Sequence, residues 1–112
     1  CTLRQNVTMF SVFPHMHQNG TRILMEIQRQ GSSTWTPLVD ISGWSFEAQP
    51  NIPLPPAEQQ MAPGDRIRST CWYDTRGQNV RYGEASQDEM CFNFIYHYPQ
   101  INFQFACVSY QP

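Results

Sequence analysis

Short runs of alternating apolar and polar residues recur along the chain and predict β-strands. In the clearest run, Ile23, Met25 and Ile27 alternate with mostly polar neighbours, which is the period of two expected of a half-buried strand. Turn signals that contain Gly, Pro or Asn separate the runs. The predicted strands, in chain order, cover residues 8–17, 22–29, 34–40, 57–61, 66–74, 89–98 and 103–110.

The same pattern excludes helices and defines the fold class. No stretch of ten residues has helical periodicity, and four prolines between residues 50 and 56 are incompatible with a regular helix there. Asn19-Gly20 predicts a tight hairpin turn, and residues 22–40 are typical of one long hairpin. Short strands joined by turns favour an antiparallel β-sandwich. We therefore predict an all-β, antiparallel β-sandwich of jelly-roll type, as a single domain over residues 1–112.

Composition and charge remove several function classes. The chain has 112 residues, of which 40% are hydrophobic, and a formal net charge of −2. This length suits one domain with one core. No basic patch is present, so we expect no nucleic-acid partner. No apolar run reaches 18 residues, so we expect no membrane span.

The four cysteines, Cys1, Cys71, Cys91 and Cys107, favour disulfides over a metal site, because none belongs to a C-x-x-C pair. An even count in a small domain indicates an oxidising, extracytoplasmic compartment and hence secretion. Three pairings are open. We favour Cys1–Cys107, which would tie the chain ends together, and Cys71–Cys91, which would close a loop of about 20 residues.

Two N-x-Thr triplets begin at Asn6 and Asn19. Such triplets are acceptors for N-glycosylation in secreted eukaryotic proteins. Because they also arise by chance, they identify candidate glycosylation sites and no more.

The candidate chemistry centres on His15 and His17. On a β-strand, alternate side chains share a face, so the two imidazoles would project together about 6.5–7 Å apart at Cα. Met90 is the candidate third ligand, because two imidazoles and a thioether suit copper, and Cu(I) especially. Zinc would instead need Asp88 or Glu89. The other role open to Met90 is to fill the core.

Five short motifs resemble a known family. They are Pro-His-Met-His-Gln-Asn-Gly at 14–20, Pro-Gly-Asp at 63–65, Cys-x-Tyr-Asp at 71–74, Asp-Glu-Met-Cys at 88–91 and Tyr-His-Tyr-Pro at 96–99. In this order they resemble the C-terminal catalytic domain of the copper type II, ascorbate-dependent monooxygenases. The resemblance covers nearly the whole chain.

The resemblance implies a function, a site and a fold. It implies that His15, His17 and Met90 hold the one copper ion where O2 is activated to hydroxylate a substrate C–H bond, with ascorbate as reductant and no catalytic residue beyond the metal ligands. The substrate, a small molecule or a peptide, is left open. It also implies the two disulfide pairs favoured above and a jelly-roll sandwich.

The chain departs from the family pattern in two respects. Family enzymes bind a second copper through three histidines of a preceding domain, so we expect such a domain as a missing partner; the remaining histidine, His97, replaces a tyrosine and is expected to be structural or exposed. Peptide-hydroxylating members hold the substrate carboxylate with an arginine, an asparagine and a tyrosine. Phe13, Phe92 and Phe94 stand at these positions, so a peptide C-terminus would find no ionic anchor.

Two functions from different classes remain open. The chain is either the oxygen-activating half of a copper-dependent monooxygenase, or a non-catalytic secreted module that binds copper or serves structure and interaction. A source of electrons discriminates between them, because turnover without a second copper needs another domain or a reductant that reaches the site directly.

Overall fold

The structure, a computed structural model, describes residues 1–100. The strands in this part of the chain form two antiparallel β-sheets. The predicted strand over residues 103–110 lies outside this part. Within residues 1–100 there is no α-helix, and one 3₁₀ turn spans Pro56–Glu58. The strands are β1 (Val7–His15), β2 (Gly20–Gln28), β3 (Thr36–Ser42), β4 (Ile52–Pro53), β5 (Gln60–Met61), β6 (Arg66–Tyr73) and β7 (Phe92–Tyr98).

Strand β1 organises the first sheet and β2 the second. In the first sheet, β7 pairs with β1 along most of its length, and the two-residue strands β4 and β5 also pair with β1. In the second sheet, β2 lies between β3 and β6. All pairs are antiparallel, which confirms the predicted all-β, antiparallel class. The jelly-roll order of strands stays a prediction.

Both sheets contribute to one apolar core. The strand alternation seen in the sequence accounts for it, because every second side chain points to the same face. No helix within residues 1–100 is long and apolar enough to cross a membrane. The buried core residues are Leu3, Val7, Met9, Val12, Met25, Ile27, Val39, Leu54, Met61 and Ile67.

The turn at Asn19-Gly20 does not form the hairpin that its sequence predicts. Strands β1 and β2 belong to different sheets, so the turn carries the chain from one sheet to the other. Gly20 is needed for a close approach there: a Cβ on it would lie 2.8 Å from Cε and 3.0 Å from Cβ of the fully buried Met16. The predicted hairpin over residues 22–40 is confirmed, because β2 pairs with β3.

Strand ends differ from the predictions at two places that matter for the site. Strand β1 ends at His15 and β7 begins at Phe92, directly opposite it. His17 and Met90 therefore lie just outside the strands on which the alternation placed them. The predicted strand over residues 57–61 is also wrong in part, because only Gln60 and Met61 pair with β1.

Asp65 closes the turn between β5 and β6. Its buried carboxylate accepts hydrogen bonds from the backbone N–H groups of Gln30 at 2.9 Å and Ala62 at 3.0 Å, and from the Arg29 guanidinium at 2.7 Å. Burial alone would raise the pKa of Asp65. The three hydrogen bonds outweigh that effect and hold its pKa below the usual range.

A disulfide between Cys71 and Cys91 joins the two sheets. Its Cα atoms are 5.9 Å apart, and it connects β6 of the second sheet to the residue before β7 of the first. It confirms one predicted pair and contributes roughly 3 kcal/mol in the loop-entropy model. The predicted Cys1–Cys107 pair includes a residue outside the described part and stays a prediction.

Candidate metal centre

His15 and His17 bring their imidazole rings together at the end of β1. The ring centroids are 5.0 Å apart and the ring planes are nearly perpendicular, at 87°. His15 is half-buried, whereas His17 is only 5% exposed. The sequence placed both residues on one strand, but the pair is formed by the last residue of β1 and the second residue beyond it.

The protonation of the His17 ring follows from its partner. His17 Nδ1 lies 3.0 Å from the backbone carbonyl oxygen of Asp88. A carbonyl can only accept, so Nδ1 donates and carries the hydrogen. In the neutral ring, Nε2 then keeps its lone pair, and this is the form in which histidine binds a metal ion.

Glu89 fixes the turn that carries His17. Its buried carboxylate accepts hydrogen bonds from the backbone N–H of His17 at 3.1 Å and of Asn19 at 2.6 Å. Each of the two hydrogen bonds uses a different carboxylate oxygen, so the carboxylate stabilises the backbone of the turn. Asp88 accepts a hydrogen bond from Arg81 at 3.3 Å. Within residues 1–100, neither carboxylate joins the two imidazoles in a group that could hold a metal ion, so the structure gives the zinc alternative no third ligand.

Met90 follows Glu89 and is held on both sides. Its carbonyl oxygen accepts a hydrogen bond from the Tyr73 hydroxyl at 2.8 Å, and the next residue, Cys91, forms the disulfide. Burial, together with the nearby Glu89 carboxylate, raises the pKa of Tyr73 to about 12. The backbone around this half-buried methionine is thus fixed next to the residues that contact His17.

The loop between β3 and β4 also reaches both histidines, which the sequence did not reveal. The Phe46 ring lies edge-on to the His17 ring, with centroids 5.7 Å apart. The Gln49 side-chain oxygen lies 2.7 Å from Nδ1 of His15. Prolines and irregular polarity gave this loop no pattern from which either contact could be predicted.

Phenylalanine rings gather beside His15. The Phe94 ring is 6.0 Å from the His15 ring, 5.8 Å from Phe92 and 6.3 Å from Phe13. Phe94 is 51% exposed, so this cluster faces outward next to the histidine pair. His97 lies far along β7, opposite Met9, with Nδ1 3.1 Å from the Pro99 carbonyl.

The donor chemistry of the described residues fits copper better than zinc. Within residues 1–100, no three His, Cys, Asp or Glu side chains form a group that suits a metal ion. Two imidazoles are present, however, and the segment that contacts His17 leads directly to Met90, which carries a thioether. Nitrogen donors with a soft sulfur donor are the set that copper accepts and that zinc sites seldom use.

These features define an all-β, antiparallel domain in which two imidazole rings lie side by side at the end of β1. The sequence matches the copper type II ascorbate-dependent monooxygenase family, C-terminal domain, over residues 1–112. The chain therefore belongs to this family, which confirms the predicted resemblance.

Curated relatives are much longer than this chain. Dopamine beta-hydroxylase of Canis lupus familiaris is 28% identical over 109 residues, covering 93% of this chain and 16% of the relative. Tyramine beta-hydroxylase of Caenorhabditis briggsae is 34% identical over 97 residues, covering 85% and 16%. Putative DBH-like monooxygenase protein 2 of Homo sapiens is 26% identical over 107 residues, covering 94% and 21%. The chain thus spans between 16% and 21% of these relatives.

Proposed function

We propose that this chain is the oxygen-activating domain of a copper- and ascorbate-dependent monooxygenase, with His15, His17 and Met90 as the ligands of one copper ion. The carrying observation is the imidazole pair, whose rings lie 5.0 Å apart. Copper, when bound, supplies the one-electron chemistry with O2 that hydroxylation of a C–H bond requires. The protein holds the ligands in place before the metal arrives.

Two of the three proposed ligands, His17 and Met90, are held by contacts with other residues. Asp88 contacts the ring of His17, and Glu89 contacts its backbone. Tyr73 and the disulfide hold the backbone around Met90. Such secondary contacts orient metal ligands and raise their affinity. A rigid arrangement of this kind favours a defined metal site over adventitious binding by two surface histidines.

The proposed role of Met90 is tested by comparing the affinities for Cu(I) and Cu(II). Met90→Ile should weaken Cu(I) binding more than Cu(II) binding, because the thioether prefers the softer ion. X-ray absorption of the Cu(I) form should show a sulfur neighbour in the wild type and none in Met90→Ile. His97→Ala is the matched control and should retain one copper per chain. Equal Cu(I) affinity in wild type and Met90→Ile would remove Met90 from the site.

The substrate is proposed to lack a carboxylate anchor. Phe13, Phe92 and Phe94 form an apolar surface beside His15, so a carboxylate would lose its hydration there without a cationic partner, whereas an ammonium group can still interact with the faces of aromatic rings. Names of the relatives, dopamine beta-hydroxylase and tyramine beta-hydroxylase, agree with small amine substrates. Competition by a free carboxylate as strong as that by its neutral amide would contradict this proposal.

Electron supply decides between catalysis and simple copper binding. The proposed partner is a further copper domain of a longer protein, which would deliver electrons from ascorbate. Without it, we expect the 112-residue chain to oxidise ascorbate slowly and to release hydrogen peroxide, with little coupled hydroxylation. His15→Ala should abolish this oxidation. Copper binding without any ascorbate oxidation would favour the non-catalytic module, and one product per O2 would show that no partner domain is needed.

The cysteines and the two N-x-Thr triplets support a proposal about the cellular compartment of the domain. The Cys71–Cys91 disulfide suits an oxidising compartment, so we propose a secreted or otherwise extracytoplasmic domain that spans residues 1–112. Asn6 is exposed before β1, whereas Asn19 is half-buried in the turn beside His17. Asn6 is therefore the better glycosylation candidate, and mass spectrometry before and after glycosidase treatment of Asn6→Gln tests it.

A further inference from the structure

One side chain of the loop between β3 and β4 forms a bridge that ends on His15. The Gln49 oxygen Oε1 lies 2.7 Å from Nδ1 of His15, and the Gln49 nitrogen Nε2 lies 2.8 Å from the backbone carbonyl oxygen of Phe46. Gln49 is half-buried, and its two contacts use both ends of the amide.

The Phe46 carbonyl determines which way the amide points. A carbonyl oxygen accepts hydrogen bonds and cannot donate them, so the amide nitrogen of Gln49 must be the atom that faces Phe46. The amide oxygen then faces His15. Because that oxygen also only accepts, Nδ1 of His15 must carry a hydrogen, and in the neutral ring Nε2 keeps the lone pair.

We propose that Gln49 is a positioning residue for His15, which selects Nε2 as the metal-facing nitrogen and holds the ring in place before the metal binds. This inference rests on the proposed function in one respect, namely that His15 is a copper ligand. It extends that function to a loop for which the sequence predicted no role. The selection gives His15 the same tautomer that the Asp88 carbonyl gives His17, so both Nε2 atoms are free to bind a metal ion.

The tautomer is measurable without copper. At about pH 8.5, where an ordinary imidazole is neutral, nitrogen-15 NMR of the metal-free protein should show the His15 hydrogen on Nδ1. In Gln49→Leu the ring loses its acceptor, and a population with the hydrogen on Nε2 should appear. Gln49→Glu keeps an acceptor in reach of Nδ1 and should restore the wild-type tautomer.

Gln59 offers a matched control. Its side-chain amide also donates to a loop carbonyl, that of Leu54, at 2.8 Å, but it contacts neither histidine in the described structure. Gln59→Leu should leave the His15 tautomer unchanged. If Gln49→Leu fails to fold, Gln49→Asn replaces it, because the shorter amide cannot reach both partners.

Copper affinity provides the second measurement. Loss of a contact that orients a metal-bound histidine typically weakens metal binding by about 10–100-fold. Competition with a Cu(I) chelator should show a weakening of this size in Gln49→Leu, none in Gln59→Leu, and partial or full recovery in Gln49→Glu.

The outcomes separate this inference from the proposed function. A wild-type His15 with its hydrogen on Nε2, or a Gln49→Leu protein with wild-type tautomer and copper affinity, overturns the role of Gln49 while the copper site stands. If the wild type binds no copper yet shows the tautomer change, the proposed function fails and Gln49 still controls the ring.

Discussion

Glu89→Gln should destabilise the whole fold, although the substitution changes neither the size nor the shape of the side chain. One Glu89 oxygen accepts from the backbone N–H of His17 and the other from that of Asn19. Glutamine offers one oxygen and one NH2 group. In Glu89→Gln, one of the two N–H groups must therefore face another donor.

The magnitude follows from these two bonds. A hydrogen bond to a charged group contributes roughly 1.5–3 kcal/mol, and a buried N–H left without an acceptor costs about 1–3 kcal/mol. With one bond weakened and one lost, we expect a loss of about 2–4 kcal/mol. At about 4 °C per kcal/mol for a domain of this size, Tm should fall by roughly 8–16 °C.

Urea unfolding with the disulfide intact measures this loss, and hydrogen exchange locates it. Glu47→Gln is the matched control, because Glu47 is exposed and such substitutions usually change stability by less than about 0.5 kcal/mol. The amides of His17 and Asn19 should lose protection in Glu89→Gln only. Equal unfolding midpoints for the two variants, or unchanged protection of both amides, would refute the role assigned to Glu89.

Three further predictions concern side chains that hold the fold together. Gly20→Ala should cost about 1–3 kcal/mol in urea unfolding, because the added methyl group overlaps Met16 in a packed interior; an unchanged midpoint would show that Met16 moves freely. Asp65 has a lowered pKa, so its contribution to stability is present above its unfolded pKa of about 3.9 and is lost as the pH falls through its folded pKa. The difference in the free energy of unfolding between wild type and Asp65→Asn should therefore narrow below about pH 4. A difference that does not change with pH would contradict this role of the Asp65 carboxylate. Burial raises the pKa of Tyr73 to about 12, so ultraviolet titration should detect one phenol that ionises at higher pH than an ordinary tyrosine, and Tyr73→Phe should remove it; wild-type and variant titrations that coincide would contradict this assignment.

Local periodicity predicted the strands well but could not predict their partners. The alternation of Ile23, Met25 and Ile27 correctly identified β2, and the hairpin with β3 followed from the turn between them. Asn19-Gly20 has the composition of a hairpin turn, yet its strands enter different sheets. A turn signal reports the local backbone, whereas the choice of sheet depends on which residues far along the chain are available for pairing.

For the candidate site, too, local patterns could be predicted from the sequence, whereas contacts between distant residues could not. His15 and His17 were predicted as ligands from their spacing and Met90 from its motif, and these roles stay predictions; the strand containing Met90 was extended too far because Met90 continues the alternation of Phe92 and Phe94. Pairing starts only at Phe92, opposite the end of β1. Gln49 could not be predicted, since a single glutamine in a proline-rich loop has no periodicity and its contact with His15 spans 34 positions.

Because of the disulfide between Cys71 and Cys91, the position of Met90 does not depend on the length of the loop before it. That loop, residues 74–90, leaves the second sheet and returns to the first, but the covalent bond fixes both of its ends. The entropy cost of a longer loop grows only slowly with length. Insertions and deletions among the exposed residues 76–79 should therefore be tolerated during evolution without moving Met90, so relatives of this chain can differ in this loop while they keep the proposed copper ligand in the same place.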